Sequence, residues 1–130
     1  RILAVDDEEN LRRILATGLG KLGFTVDTAQ NGRQALAMLA EKPGTYDLVI
    51  LDLNMPVMDG RETLTRMRAS GFAMPVLIAS GYATDPGEMK EIGANAVLPK
   101  PYRIGQLAEF IRELLPADTM PPGQPENEVP

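Results

Sequence analysis

The chain has 130 residues, enough for one domain with a sizeable core, and an ordinary globular composition of 44% hydrophobic and 24% charged residues. It contains no cysteine and no histidine, which removes disulfides, thiolate and imidazole catalysis and the usual zinc sites, leaving only hard cations held by oxygen. A formal net charge of −5 without any block of Lys or Arg argues against direct binding of nucleic acid or an anionic membrane. No signal peptide or membrane-spanning apolar run is legible, so a cytoplasmic location is expected. The first residue is Arg1 rather than Met, which suggests a piece of a longer protein.

Ile2 to Val5 is a short apolar run that ends in Asp6 and Asp7. An unbroken run of this length reads as a strand covered on both faces, the habit of parallel sheets. A helix follows, with Leu11, Ile14, Leu15, Leu19 and Leu22 expected on one stripe. Asp7 can cap it, Glu8 and Glu9 suit the positive end of its dipole, and Gly23 is placed to close it. Phe24 to Ala29 alternates apolar and polar, which predicts a half-exposed edge strand. Asn31-Gly32 starts a second helix that uses Ala35, Leu36 and Leu39 and stops at Pro43-Gly44.

Leu48 to Leu51 is the second unbroken apolar run, and it ends at a carboxylate, Asp52. The chain then turns through Asn54, Pro56, Asp59 and Gly60, with Asp59 placed to cap a helix carrying Leu64 and Met67. Val76 to Ala79 is a third buried strand, ending in Ser80-Gly81. The next helix is expected to be short, started by Pro86-Gly87 and ended by Gly93. Ala96 to Leu98 forms a last strand, followed by Pro99-Lys100-Pro101. A final helix sets Ile104, Leu107, Ala108, Ile111, Leu114 and Leu115 on one face.

Five strand–helix units with right-handed crossovers give an α/β protein with helices on both faces of a parallel sheet. The half-exposed second strand belongs at an edge, which predicts the flavodoxin-like, doubly wound order 2-1-3-4-5. In that order the first and third strands are neighbours, and Asp6, Asp7 and Asp52 meet in the crevice beyond their C-terminal ends. The domain is expected over residues 1–115. Residues 116–130 hold five prolines, three acids and no base, and are expected to form an unfolded tail or linker.

Two carboxylates about 4 Å apart repel by ~4 kcal/mol at an effective dielectric near 20. Three therefore call for a protonated member or a divalent cation, and an open oxygen-only site suits magnesium. Lys100 brings a point charge to the same rim and Ser80 a hydroxyl. These are the parts needed to hold a phosphoryl group and neutralise its charge, with Asp52 as the nucleophile that would carry it.

The chain resembles the receiver domains of two-component signalling, from Ile2 to about Leu115, through ILAVDDE, VILDLNMPVMDG, IASG and LPKPY in order and at compatible spacing. The resemblance implies Mg2+-dependent phosphorylation of Asp52, with Asp6 and Asp7 as the acidic metal pair. Asn54 matches the position whose backbone carbonyl completes the metal shell. Ser80 and Lys100 match the family's hydroxyl and lysine, and Lys100-Pro101 its cis peptide. The implied donor is a phosphohistidine on a sensor histidine kinase or a histidine phosphotransfer domain. Two departures stand out: Val97 replaces the aromatic residue of a strong receiver switch, a role Tyr102 does not fill, and the fourth helix is short. The wording SGYA and LPKPY resembles receivers at the C-terminus of hybrid sensor histidine kinases, with a DNA-binding regulator as the alternative parent. A flavin-type binder of the same fold is disfavoured, because acids rather than a glycine-rich loop follow the first strand. A receiver-like interaction module that is never phosphorylated is disfavoured by the presence of all five site residues.

Overall fold

A computed structural model describes residues 1–81 and 85–116. The elements run β1 (Ile2–Val5), α1 (Glu9–Lys21), β2 (Val26–Ala29), α2 (Gly32–Glu41), β3 (Leu48–Asp52), α3 (Gly60–Ala69), β4 (Val76–Ser80), α4 (Pro86–Glu91), β5 (Ala96–Pro99) and α5 (Ile104–Leu114). The strands form one parallel sheet in the order β2-β1-β3-β4-β5. β1, β3 and β4 are buried throughout, while β2 is half-buried at its edge position. The expected fold class holds.

Successive strand residues face opposite layers. Leu3, Val5, Val49, Leu51, Val76 and Ile78 pack with Ala35 and Leu39 of α2, Leu64 and Met67 of α3 and Met89 of α4. Ile2, Ala4, Leu48, Ile50, Leu77 and Leu98 pack with Leu15 and Leu19 of α1 and Leu107 and Ile111 of α5. Among the described residues no helix is long and apolar enough to cross a membrane.

Local chemistry sets the helix ends. Asn31 accepts from Gln34 N at 2.8 Å and Asp59 from Glu62 N at 2.9 Å, so both are side-chain caps, Asp59 as expected. Gly23, Gly71 and Gly93 take φ of 97°, 89° and 111° just past α1, α3 and α4. The next residue's N–H then reaches back into the last turn: Phe24 to Leu19 O, Phe72 to Met67 O and Ala94 to Met89 O. This is the paired C-terminal motif that left-handed glycine permits.

Three sequence expectations need correction. Phe24 and Thr25 precede β2 rather than belonging to it, because Phe24 is used to close α1. Ile14 is 54% exposed. It lies about 100° around the helix from Leu15, outside the stripe formed by Leu11, Leu15, Leu19 and Leu22. Asp7 does not cap α1. Glu8 occupies that position without a side-chain cap bond, and the orphan N–H of Glu8 is met instead by Asp6 Oδ1 at 2.9 Å. Of the expected tail, residues 117–130 lie outside the described residues.

Candidate functional site

β1 and β3 lie side by side with Val5 opposite Leu51, so the residues that follow them emerge together at one edge of the sheet. Asp6, Asp7 and Asp52 each present a carboxylate oxygen within 4.8 Å of the others. Asp6 and Asp52 are buried, 2% and 4% exposed, and Asp7 is exposed. Lys100, just past β5, extends its ammonium between the two buried acids, 2.9 Å from Asp6 Oδ2 and 3.3 Å from Asp52 Oδ1. Ser80 ends β4 opposite Pro99 and is buried, and its carbonyl accepts from Lys100 N at 2.7 Å. Asn54 is exposed, and its backbone lies near enough to the Asp52 carboxylate to favour the charged form. All six residues singled out in the sequence thus lie along the C-terminal edge of four adjacent strands, where open α/β sheets keep their sites.

Neighbouring groups hold these side chains. Asp6 spends one carboxylate oxygen on Glu8 N and the other on Lys100, while Arg12 Nη1 donates to its carbonyl at 2.7 Å. The segment after Asp52 folds back so that Gly60 N donates to Leu53 O at 2.9 Å. A Cβ on Gly60 would collide with the Asp52 carbonyl and stand 2.7 Å from Leu53 Cα, so only glycine permits this closure. The Lys100-Pro101 peptide is cis. Arg12 and Gly60 were not singled out from the sequence. Gly60 carried only the Asp-Gly turn signal, and Arg12 is one polar residue on a helix, with nothing to show that it reaches back to Asp6.

The electrostatics follow from burial. Desolvation pushes the Asp52 carboxyl above the ordinary carboxylate range and the nearby Asp6 charge adds to this, while Lys100 and the Asn54 backbone oppose it. Burial alone would lower the Lys100 ammonium. The hydrogen bond and charge of Asp6, with those of Asp52, outweigh burial and raise it. The three acids were expected to need a proton or a cation between them. Lys100 is a third form of compensation, supplied by the chain itself.

The donor set suits a hard divalent cation: carboxylate oxygens only, one of them exposed to solvent, and no nitrogen or sulfur ligand. A buried acid at a strand end with a lysine beside it and a buried hydroxyl on the next strand is an arrangement for holding a phosphoryl group.

The model of the family "response regulator receiver domain" matches residues 2–112. The chain belongs to this family. It is therefore the phosphoacceptor module of two-component signalling, and such receivers work with histidine kinases or phosphotransfer partners. Among its relatives are the transcriptional regulatory protein PcoR of Escherichia coli, 38% identical over 117 residues, 88% of this chain and 51% of PcoR. The transcriptional regulatory protein TcrA of Mycobacterium tuberculosis is 40% identical over 116 residues, 88% of this chain and 45% of TcrA. The chain spans about half the length of these relatives. Among solved structures, the response regulator TrrA of Thermotoga maritima, determined in complex with Mg(2+)-BeF, superposes with a TM-score of 0.79 at 34% identity, covering 88% of this chain and 98% of that one. The chemotaxis protein CheY4 of Vibrio cholerae gives 0.78 at 32% identity, covering 88% and 97%.

Proposed function

We propose that Asp52 is the phosphoacceptor of this receiver and that Asp6, Asp7, Asp52 and the Asn54 backbone carbonyl hold magnesium. The donor is a phosphohistidine on a sensor histidine kinase or a histidine phosphotransfer domain. A carboxylate oxygen of Asp52 forms the new P–O bond. The histidine P–N bond breaks, and its electron pair leaves with the imidazole. Bound magnesium would supply charge neutralisation for the phosphoryl oxygens. Lys100, already 3.3 Å from Asp52, is placed to follow the charge from the carboxylate onto the phosphoryl group, with Ser80 as the hydroxyl that turns towards it.

The observation that carries this reading is the Lys100 ammonium lodged between Asp6 and Asp52 at 2.9 and 3.3 Å, beside an exposed third acid. The TrrA structure, with magnesium and beryllofluoride bound, supports the same ligand pair here. The parent protein is proposed to be a transcriptional regulator, since PcoR and TcrA are such proteins and extend well beyond the matched part. That supports the DNA-binding alternative over a hybrid kinase.

The test is incubation with acetyl phosphate, with and without magnesium, followed by peptide mass spectrometry. One phosphoryl group is expected on Asp52, dependent on the metal and absent in Asp52→Asn. A label that persists at an acid-stable position in Asp52→Asn would sink the assignment.

A further inference from the structure

Tyr102 follows the cis Lys100-Pro101 bond and packs its ring against the α1/α5 side of the core. Its hydroxyl is buried and has no hydrogen-bond partner among the described residues. Buried tyrosine hydroxyls ordinarily find a partner, and an unmet one costs ~1–3 kcal/mol. Phenylalanine would fill the same space without that cost. The oxygen therefore calls for a use.

Its surroundings indicate one. Tyr102 lines a cavity of about 460 Å3 together with Glu8, Leu11, Gly81, Lys100 and Pro101. That cavity joins the phosphoacceptor rim to the first residue after β4. Gly81 is exposed, and a Cβ built on it would meet nothing within 4 Å, so open space lies beside the first residue after β4. Burial raises the Tyr102 hydroxyl to about 12, with Lys100, Asp6 and Asp52 among the charges it feels, so it remains a proton donor at physiological pH. Val97, by contrast, packs on the α2/α3/α4 side and has no hydroxyl to offer.

We propose that Tyr102 is a positioning residue whose hydroxyl has no partner among the described residues at rest and donates to the Gly81 carbonyl once Asp52 is phosphorylated. Ser80, drawn towards the phosphoryl group, carries Gly81 with it across the cavity. The resulting bond favours the phosphorylated conformation and passes the change to the α1/α5 face. This inference rests on the phosphoacceptor reading of Asp52.

The experiment compares wild type with Tyr102→Phe, using beryllofluoride and magnesium as the probe. Without the probe, Tyr102→Phe should melt at the same temperature as wild type or higher, since it removes an unmet polar group. Its beryllofluoride affinity should fall about 3- to 10-fold, the range of one net hydrogen bond. The Gly81 carbonyl carbon resonance should shift further on beryllofluoride binding in wild type than in the variant, which lacks the new bond. A Tyr102→Phe protein with unchanged affinity and the same Gly81 shift overturns the positioning role, as does a loss of resting stability as large as the loss in the bound state. A wild type that takes up no beryllofluoride overturns the phosphoacceptor reading itself, and the role of Tyr102 with it.

Discussion

Arg68 grips the carbonyl of Gly93 with two nitrogens, Nε at 3.0 Å and Nη2 at 2.6 Å. The same guanidinium donates through Nη1 to Phe72 O and Met74 O and through Nη2 to Asn95 Oδ1, at 2.7, 2.9 and 3.1 Å. Asn95 Oδ1 also accepts from Val76 N. One side chain at the end of α3 therefore fixes the entry to β4 and the connection between α4 and β5. At 93 a Cβ would stand 2.7 Å from Arg68 Cγ, on a backbone at φ +111°. We expect Arg68→Met to destabilise the domain by about 2–3 kcal/mol, because several partly buried carbonyls lose their donor. Arg68→Lys should recover less than half, since a point charge cannot serve that fan of acceptors. Urea unfolding of the three proteins decides the matter, and a methionine variant within 0.5 kcal/mol of wild type contradicts it.

Asp6 and Asp7 should respond in opposite ways to neutralisation. Simple relief of repulsion predicts that either Asn substitution stabilises the metal-free protein. Lys100 changes this for Asp6, because Asp6→Asn leaves a largely buried ammonium with Asp52 alone. A cost of about 2 kcal/mol is expected, less than for a fully stranded buried charge because one partner remains. Asp7 is exposed and lies only near the pair, so Asp7→Asn should be neutral or slightly stabilising without metal. Thermal melts in a chelator give the comparison, and two shifts of the same sign would refute it.

The raised Asp52 carboxyl sets a pH dependence. The native state holds this proton more tightly than the unfolded chain, whose carboxyl titrates near ~3.9. Its contribution to stability is therefore fullest below that value, and is lost as pH rises through the higher native one. Metal-free wild type should lose stability as pH rises from the unfolded carboxyl's range through the higher native one, and Asp52→Asn should not. At pH 7 without metal, Asp52→Asn should be the more stable protein. Magnesium should restore wild type, by ~2.7 kcal/mol at a hundredfold excess over Kd. Melting temperatures measured from pH 4 to 8, with and without magnesium, test both statements. If Asp52→Asn is the less stable at pH 7 in chelator, the sign is wrong.

Val57 takes φ +71° in the turn beyond Asp52, where Met58 N donates to Pro56 O at 2.7 Å. A β-branched side chain is poorly suited to that region, and this one is 69% exposed with little packing to offset the cost. Val57→Asn should raise stability by about 1 kcal/mol, since asparagine tolerates left-handed backbone. Val57→Ile should change little. An Asn variant that melts no higher than wild type removes strain as the explanation.

The sequence by itself settled the strand order and nearly all of the elements, and it singled out the six residues that the fold brings to one edge of the sheet. Runs such as Leu48 to Leu51 are apolar without interruption because their strands are covered twice, and the alternation around Val26 marks an edge. Gly23 and Gly93 stop helices because they alone accept the backbone required there. These signals are local, written in spacing and in single-residue conformational limits. What only the tertiary structure decided is which polar groups meet. Asp6 and Lys100 lie 94 residues apart and touch at 2.9 Å, which depends on four crossovers and on the register of every strand between them. Asp7 could have capped α1, yet the Glu8 N–H went to Asp6. The five bonds of Arg68, and the Tyr102 hydroxyl that finds no partner among the described residues, had no sequence signal at all. Hydrophobic periodicity specifies the face a residue occupies, whereas a hydrogen bond is specified only when packing has placed both partners within about 3 Å.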